Sequence, residues 1–292
     1  MKKNIFIIYA FLLLALTGCE KVIDIKETDF IGGDIALKSV ANNEQGIIGA
    51  YGGINLEMCV LLNSTIADEV RVADFYNATT THEWQFGPAD VGLRDNYTAT
   101  TPFYRVIDRV NRVLAALPNV VSTSAADDAL KLKLRGEALF IRAFCHFELY
   151  RFYSNSAVST DLAMAYMEVP SLNPTARITV GPYIQKLKAD LTEAKSLLPN
   201  ALTDVFRANR LAVSGLQARV SLYLKDYASA ITFSTEYISG LGLSPRAQFS
   251  GIWTDANKNE SAFIIARTTA TSRMGSLYRG TSANPSNIGT IT

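Results

Sequence analysis

The chain has 292 residues, 48% apolar and 19% charged, an ordinary globular composition with room for one large domain or two small ones. Lys and Arg number 28 against 27 Asp and Glu, with no basic run or stripe, which excludes the electrostatic footprint of a nucleic-acid binder. Near-neutrality suits an uncharged ligand or a protein partner.

The N-terminus reads as an export signal. Lys2 and Lys3 form a basic start, and Ile5 to Leu16 is an apolar run of twelve residues. A membrane-spanning helix takes about 20 residues, so this run has the length of a signal-peptide core. Leu16-Thr17-Gly18-Cys19 then sets small residues directly before a cysteine and resembles a bacterial lipobox. That resemblance implies a signal peptide over 1–18, cleavage before Cys19, and lipid on the Cys19 thiol and amine. Several acyl chains anchor firmly, because each buried methylene contributes about 0.8 kcal/mol. The alternative is a plain secretory peptide with an incidental Cys19. No other segment is long and apolar enough to cross a membrane. Cys59 and Cys145 both fall in apolar helical patterns and are expected as buried free thiols rather than a disulfide.

Residues 19–34 read as a polar tether. Ile35 to Met58 is expected to be helical through Leu37, Val40, Ile47, Ile48, Tyr51 and Ile54, although Gly46, Gly49, Gly52 and Gly53 weaken it. Asn63 to Thr100 differs in kind. It holds Asp68, Arg71, Asp74, Tyr76, His82, Trp84 and Tyr97 among Thr, Asn and Gly, too polar for a core element and too aromatic for a disordered linker. It reads as an ordered insertion that presents side chains.

Helical spacing returns from Tyr104 to Leu117 and stops at Leu117-Pro118-Asn119. After a loop with capping residues Ser122, Thr123, Ser124 and Asp127 comes the central segment, Leu130 to Tyr153. Leu134, Ala138, Ile141, Cys145, Leu149 and Phe152 form one stripe, and Phe140, Ala143, Phe144 and Phe147 a second one roughly opposite. A helix apolar on two sides is sandwiched between others. Gly181-Pro182 opens a further helix with Pro in its first turn, closing at Leu198-Pro199-Asn200, 81 positions after the earlier terminator. Arg210 to Leu224 and Tyr227 to Ser239 form a helical hairpin. There Ala218, Leu224, Tyr227, Ala230 and Ile231 partly match a tetratricopeptide repeat, whereas Phe233 and Tyr237 do not. The expected fold is mainly all-α: about three helix pairs in a tetratricopeptide-like solenoid over 35–267, with little strand and an irregular polar tail over 268–292.

The wording of these segments resembles the SusD/RagB family. The likeness lies in Gly136-Glu137-Ala138, Phe140-Ile141-Arg142-Ala143 and Phe147-Glu148-Leu149 of the central helix, and in Ala50-Tyr51 and Asn111-Arg112-Val113-Leu114 before it. It continues in Val169-Pro170, Ala176-Arg177-Ile178-Thr179, Ala189-Asp190-Leu191 and Ala218-Arg219-Val220, in the same order. The resemblance runs from the lipobox to about Arg267. It implies an outer-membrane lipoprotein facing the cell exterior that binds a nutrient, an oligosaccharide, and delivers it to a TonB-dependent, SusC-like transporter. The helical-repeat side would serve as the docking face. Two departures stand out. Ser154-Asn155-Ser156-Ala157 replaces the family's Gly-Asp, and the chain stops at Thr292, short of the usual loop-rich C-terminal part, as a shortened gene product would. Asn259 to Ile265 resembles the family's Glu-x-Ile-Phe strand, and the resemblance places Trp253 in the core before it.

No catalytic constellation appears: there is no nucleophile elbow, P-loop or dinucleotide fingerprint, and no Cys or His pair with metal spacing. No cofactor or metal is expected. His146 reads as structural; His82 could contact a ligand, although a loop histidine is more often merely solvated. Glu137 and Glu148, near Arg142 and Arg151, read as ion-pair members rather than the acid and base of a glycosidase. Sugar recognition sets an aromatic face against the apolar side of a ring, with polar groups on the hydroxyls. Trp84 with Asp68, Arg71, Asp74 and Tyr76 supplies those types, although a buried Trp84 pinning the insertion is equally natural. The alternatives are a lipid-anchored repeat scaffold binding only proteins, and a lipid-anchored glycan hydrolase.

Overall fold

In the computed structural model, the residues described are 36–56, 59, 60, 63, 64, 67, 69–71, 100–154, 157–171, 173, 175–266, 290 and 291. The chain is mainly helical. In order come α1 (Val40–Gly53), α2 (Thr100–Ala116), α3 (Ala125–Tyr153), α4 (Val180–Leu197), α5 (Arg210–Tyr223), α6 (Tyr227–Gly240) and the short α7 (Phe249–Trp253). Two-residue strands β1 (Val70–Arg71) and β2 (Thr290–Ile291) pair antiparallel.

The central helix α3 is 29 residues long and starts five residues before the expected Leu130, because the cap lies there. Ser124 accepts from the Asp127 N–H, Asp127 and Asp128 occupy the first turn, and Arg151 the last, as the helix dipole favours. Every residue from Gly136 to Tyr150 is buried, which bears out the two apolar stripes. On one side lie α1 and α2, on the other α4 and α5, and α6 packs on α5. Successive helices therefore stack in a row, as in a helical-repeat solenoid.

The terminators work as read. Leu117–Asn119 is a 3-10 turn that opens on Pro118, and Leu198 caps α4 before Pro199. The first helix is shorter than the expected Ile35–Met58. Ser39 caps it by accepting from the Asn42 N–H, and the chain turns extended at Ile54 after Gly52-Gly53. Lys225, at φ 61°, makes the α5–α6 turn, and Asp226 caps α6. Of the repeat-like positions here, Ala230 is buried, whereas Tyr227 and Ile231 are exposed.

Cys59 and Cys145 are buried free thiols, as expected. Two expectations near the end of the described chain are overturned. Trp253 is 78% exposed, not core; among the described elements α7 packs chiefly against the 3-10 turn Arg246–Gln248 that precedes it. Asn259 to Ile265 is not a strand: among the described residues no strand pairs with it, and Ile264 N–H donates to Val205 O at 2.8 Å instead. The segment still closes the core through Phe263, whose ring meets Phe140 at 5.2 Å and Tyr51 at 5.8 Å.

Candidate functional site

Between α3 and α4 the chain makes a loop, residues 161–180, closed at its neck by a bridge between Leu162 and Thr179. Further bonds run from Ala163 N–H to Ile178 O at 2.8 Å and from Val180 N–H to Asp161 O at 2.8 Å. A loop lying on helices must find partners for its backbone polar groups. Here side chains of the scaffold supply them. Tyr104 donates to Ala165 O at 2.8 Å, Asn111 to Met167 O at 2.9 Å, and Arg142 Nη1 to Glu168 O at 3.2 Å. At the neck, Arg177 donates to Ala163 O at 2.5 Å and to Leu162 O and Tyr153 O, both at 3.2 Å.

A layer of polar and aromatic side chains lies beneath. Asp190 accepts Arg142 through both oxygens, at 2.6 and 2.7 Å, and the Tyr166 hydroxyl at 2.7 Å. The His146 ring stacks on Tyr166 at 3.8 Å. His146 Nε2 accepts the Met167 N–H at 3.2 Å, so its proton is on Nδ1, which donates to the Tyr183 hydroxyl at 3.1 Å; that hydroxyl donates in turn to His146 O at 2.7 Å. Burial pushes the His146 pKa down to about 3, with a smaller contribution from the Arg142 charge, so the ring is neutral. Burial likewise lifts Tyr104 to about 12 and Tyr166 well above its usual range. His146 is structural, as expected.

Between the loop and α2 lies a cleft of about 340 Å³. Ile107, Met164 and Met167 line its apolar part, and Asp108, Asn173 and Arg177 contribute polar groups. That size falls at the lower end for small-molecule sites, which span about 300–1,000 Å³. Asp108 is held by Arg112 at 2.7 Å, and among the described residues no His or Cys side chain lines the cleft. Among the described residues no cluster of His, Cys, Asp and Glu could hold a metal ion.

The carboxylates of α3 have structural partners, one of them not the expected one. Glu148 pairs with Arg151 at 2.5 Å and with Arg219 at 2.8 Å. Glu137 pairs not with Arg142 but with Arg207, at 2.7 Å, because Arg142 is taken up by Asp190. Arg207 also bonds Glu44, tying α1 to α3.

Cys19, Asp68, Asp74, Tyr76, His82 and Trp84 lie outside the described residues. Arg71 is placed only by its backbone, in β1. Sequence reading missed the cleft because its lining is split between four residues of α2 and a loop far along the chain, with 56 positions separating Asn111 from Met167. Asn111, Val169 and Arg177 do stand in segments that carried the family resemblance, which was the one available signal.

A helical-repeat scaffold thus clamps a loop over a cleft of a size that can hold a small ligand. The SusD-like_3 family model, described as "Starch-binding associating with outer membrane", matches residues 32–222. The chain belongs to this SusD-like family. SusD-like protein P25 of Formosa agariphila is 21% identical over 96% of the chain and 54% of its own length. SusD-like protein P38 of the same organism is 22% identical over 81% of the chain and 46% of its own length. The chain thus spans about half the length of the curated relatives it matches. Among solved structures, a putative sugar binding protein from Bacteroides vulgatus superposes with TM-score 0.60 at 20% identity, over 80% of this chain and 56% of that one. A laminarin binding SusD-like protein superposes at 0.56 and 18% identity, over 76% and 49%. At these identities the superpositions establish the fold.

Proposed function

We propose that this protein is a lipid-anchored outer-membrane protein that binds an oligosaccharide at the cell exterior, leaves it chemically unchanged, and passes it to a TonB-dependent β-barrel transporter. The observation that carries this reading is the family match over residues 32–222. The Leu16-Thr17-Gly18-Cys19 sequence supports the anchor, and among the described residues no helix is long and apolar enough to cross a membrane. Asp68, Arg71, Asp74, Tyr76 and Trp84 hold the sugar, in a segment that runs directly into α2 at Thr100, four residues before Tyr104 of the cleft. The outer face of α5 and α6, with Leu222, Tyr227, Ile231 and Ile238 exposed, suits a protein partner.

Calorimetry against a panel of oligosaccharides, with the recovered sugar analysed afterwards, tests the reading. Saturable binding with intact sugar is expected, and a β-barrel transporter should co-purify from solubilised outer membranes. Shortened sugar products would make it a hydrolase. A protein that binds no sugar yet captures protein partners would be a repeat scaffold.

A further inference from the structure

The residues after α6 form a closed loop. Its base is tied by Ser244 N–H to Glu260 Oε1 at 2.8 Å, by the Tyr237 hydroxyl to Glu260 O at 3.1 Å, and by Ala262 N–H to the Tyr237 hydroxyl at 3.1 Å. At its far end α7 carries two aromatic rings into solvent, Trp253 at 78% exposure and Phe249 at 54%. Their centroids are 6.2 Å apart and their planes 73° to each other, so they form a corner. Leaving two large rings in water forgoes the burial that aromatic side chains usually obtain.

The corner is held in place. Asn257 Nδ2 donates to Gln248 O at 3.0 Å and Asn257 N–H to Gly251 O at 3.2 Å. A Cβ at Gly251 would meet Asn257 Nδ2 at 2.3 Å, so a larger residue there would push the Asn257 amide off Gln248 O. Asp255 makes the turn at φ 59°. A fixed pair of rings loses little conformational freedom on meeting a ligand. Polar groups accompany them. Asn259 Nδ2 donates to Gln248 Oε1 at 2.6 Å, which leaves Gln248 Nε2 and Asn259 Oδ1, one donor and one acceptor, without a partner among the described residues. The nearby charges of Asp255 and Lys258 face each other at 3.9 Å.

An open aromatic face with neutral amide groups beside it matches the two chemical sides of a pyranose, its C–H face and its hydroxyl rim. An apolar protein surface would instead bury those amides unpaired, at a cost. We infer that the Phe249–Trp253 corner is a sugar-contact site, separate from the cleft and from residues 63–100, which takes one ring of a neutral oligosaccharide with Gln248 and Asn259 on its hydroxyls. The inference rests on the oligosaccharide-binding reading above.

The test compares full-length wild type, Trp253→Ala, Trp253→Phe and Asn259→Ala by calorimetry with the neutral oligosaccharides of the panel. Trp253→Ala is expected to weaken binding about tenfold or more and Trp253→Phe by less than about threefold. Asn259→Ala should weaken it by an intermediate factor, and all variants should melt with the wild type. Unchanged affinity in Trp253→Ala while the wild type binds would overturn this site and leave the functional reading standing. A lowered melting temperature in Trp253→Ala would also overturn it, by making the ring structural. No binding by the wild type would overturn both.

Discussion

Arg142 of α3 and Asp190 of α4 form a two-pronged ion pair, Nε to Oδ2 at 2.7 Å and Nη2 to Oδ1 at 2.6 Å, with side chains only 8% and 9% exposed. Each has a second duty. Arg142 Nη1 also bonds Asn111 Oδ1 and Glu168 O, and Asp190 Oδ2 also accepts Tyr166, so the pair joins the helix scaffold to the loop over the cleft. Two buried charges gain little net stability over apolar residues of equal shape, but removing one strands the other.

Asp190→Ala should therefore cost about 3–5 kcal/mol. The double change Arg142→Met with Asp190→Leu should cost clearly less than the two single changes added together. Urea unfolding of the wild type, Asp190→Ala, the two single changes and the double change measures this. A loss under about 1 kcal/mol for Asp190→Ala would mean water reaches the pair and screens it.

His146 makes stability depend on pH. Its folded pKa is about 3, pushed down by burial, against about 6.5 when unfolded. Between those values the unfolded chain takes up a proton that the folded one does not. The contribution is thus complete above about pH 6.5 and falls as pH drops through the window, by about 1.4 kcal/mol per unit. Going from pH 6.5 to 5 should cost the wild type about 2 kcal/mol more than it costs His146→Gln. Glu137, whose carboxyl is raised by burial against the opposing pull of Arg207, works in the other direction in both proteins and cancels in the comparison. Equal slopes for the two proteins would place a protonated ring in the fold.

The helices were legible because their signals are local. The double stripe on Leu134 to Phe152, the Leu-Pro-Asn stops and the Ser124 cap each act within a few residues, and together they determine α3 and its neighbours. What sequence reading missed depends on pairs far apart in the chain. Glu137 meets Arg207 from 70 positions away, and nothing near Glu137 signals that Arg142 is already engaged by Asp190. Trp253 was misplaced for a similar reason: its burial depended on a distant neighbour, and the described residues around α7, its preceding turn and Asn257, leave the ring exposed. The cleft was hidden because hydrogen bonds to loop carbonyls, such as Tyr104 to Ala165 O, build its roof, and carbonyls carry no residue identity.

Gly136 marks the closest approach of α3 to the end of α4. A Cβ there would stand 2.9 Å from Leu198 Cγ and 3.1 Å from Leu197 Cβ, and the second of these atoms cannot swing away. Gly136→Val should overpack this crossing and cost about 1–3 kcal/mol, despite removing a poor helix former. Phe147→Ala, which empties a fully buried site on the same helix, should cost about 3–5 kcal/mol. Chemical denaturation of both variants checks the sandwich; near-wild-type stability for both would contradict it.

The last prediction concerns Trp84, in the segment proposed to hold the sugar. Residues 63–100 combine aromatic side chains with Asp, Asn and Arg outside any helical period, and loops on a rigid scaffold are where binding residues concentrate. A few aromatic anchors dominate such sites, each worth about 2 kcal/mol or more on truncation. At about 1.4 kcal/mol per tenfold, Trp84→Ala should weaken oligosaccharide binding by roughly thirtyfold. Helicity and melting temperature should stay near wild type, because truncating a side chain that meets ligand empties no core site. Circular dichroism and calorimetry on one preparation separate the outcomes. Loss of the fold would make Trp84 an anchor of the insertion. Intact fold with unchanged affinity would move recognition away from this segment, to the cleft beside α2 or to the Phe249–Trp253 corner.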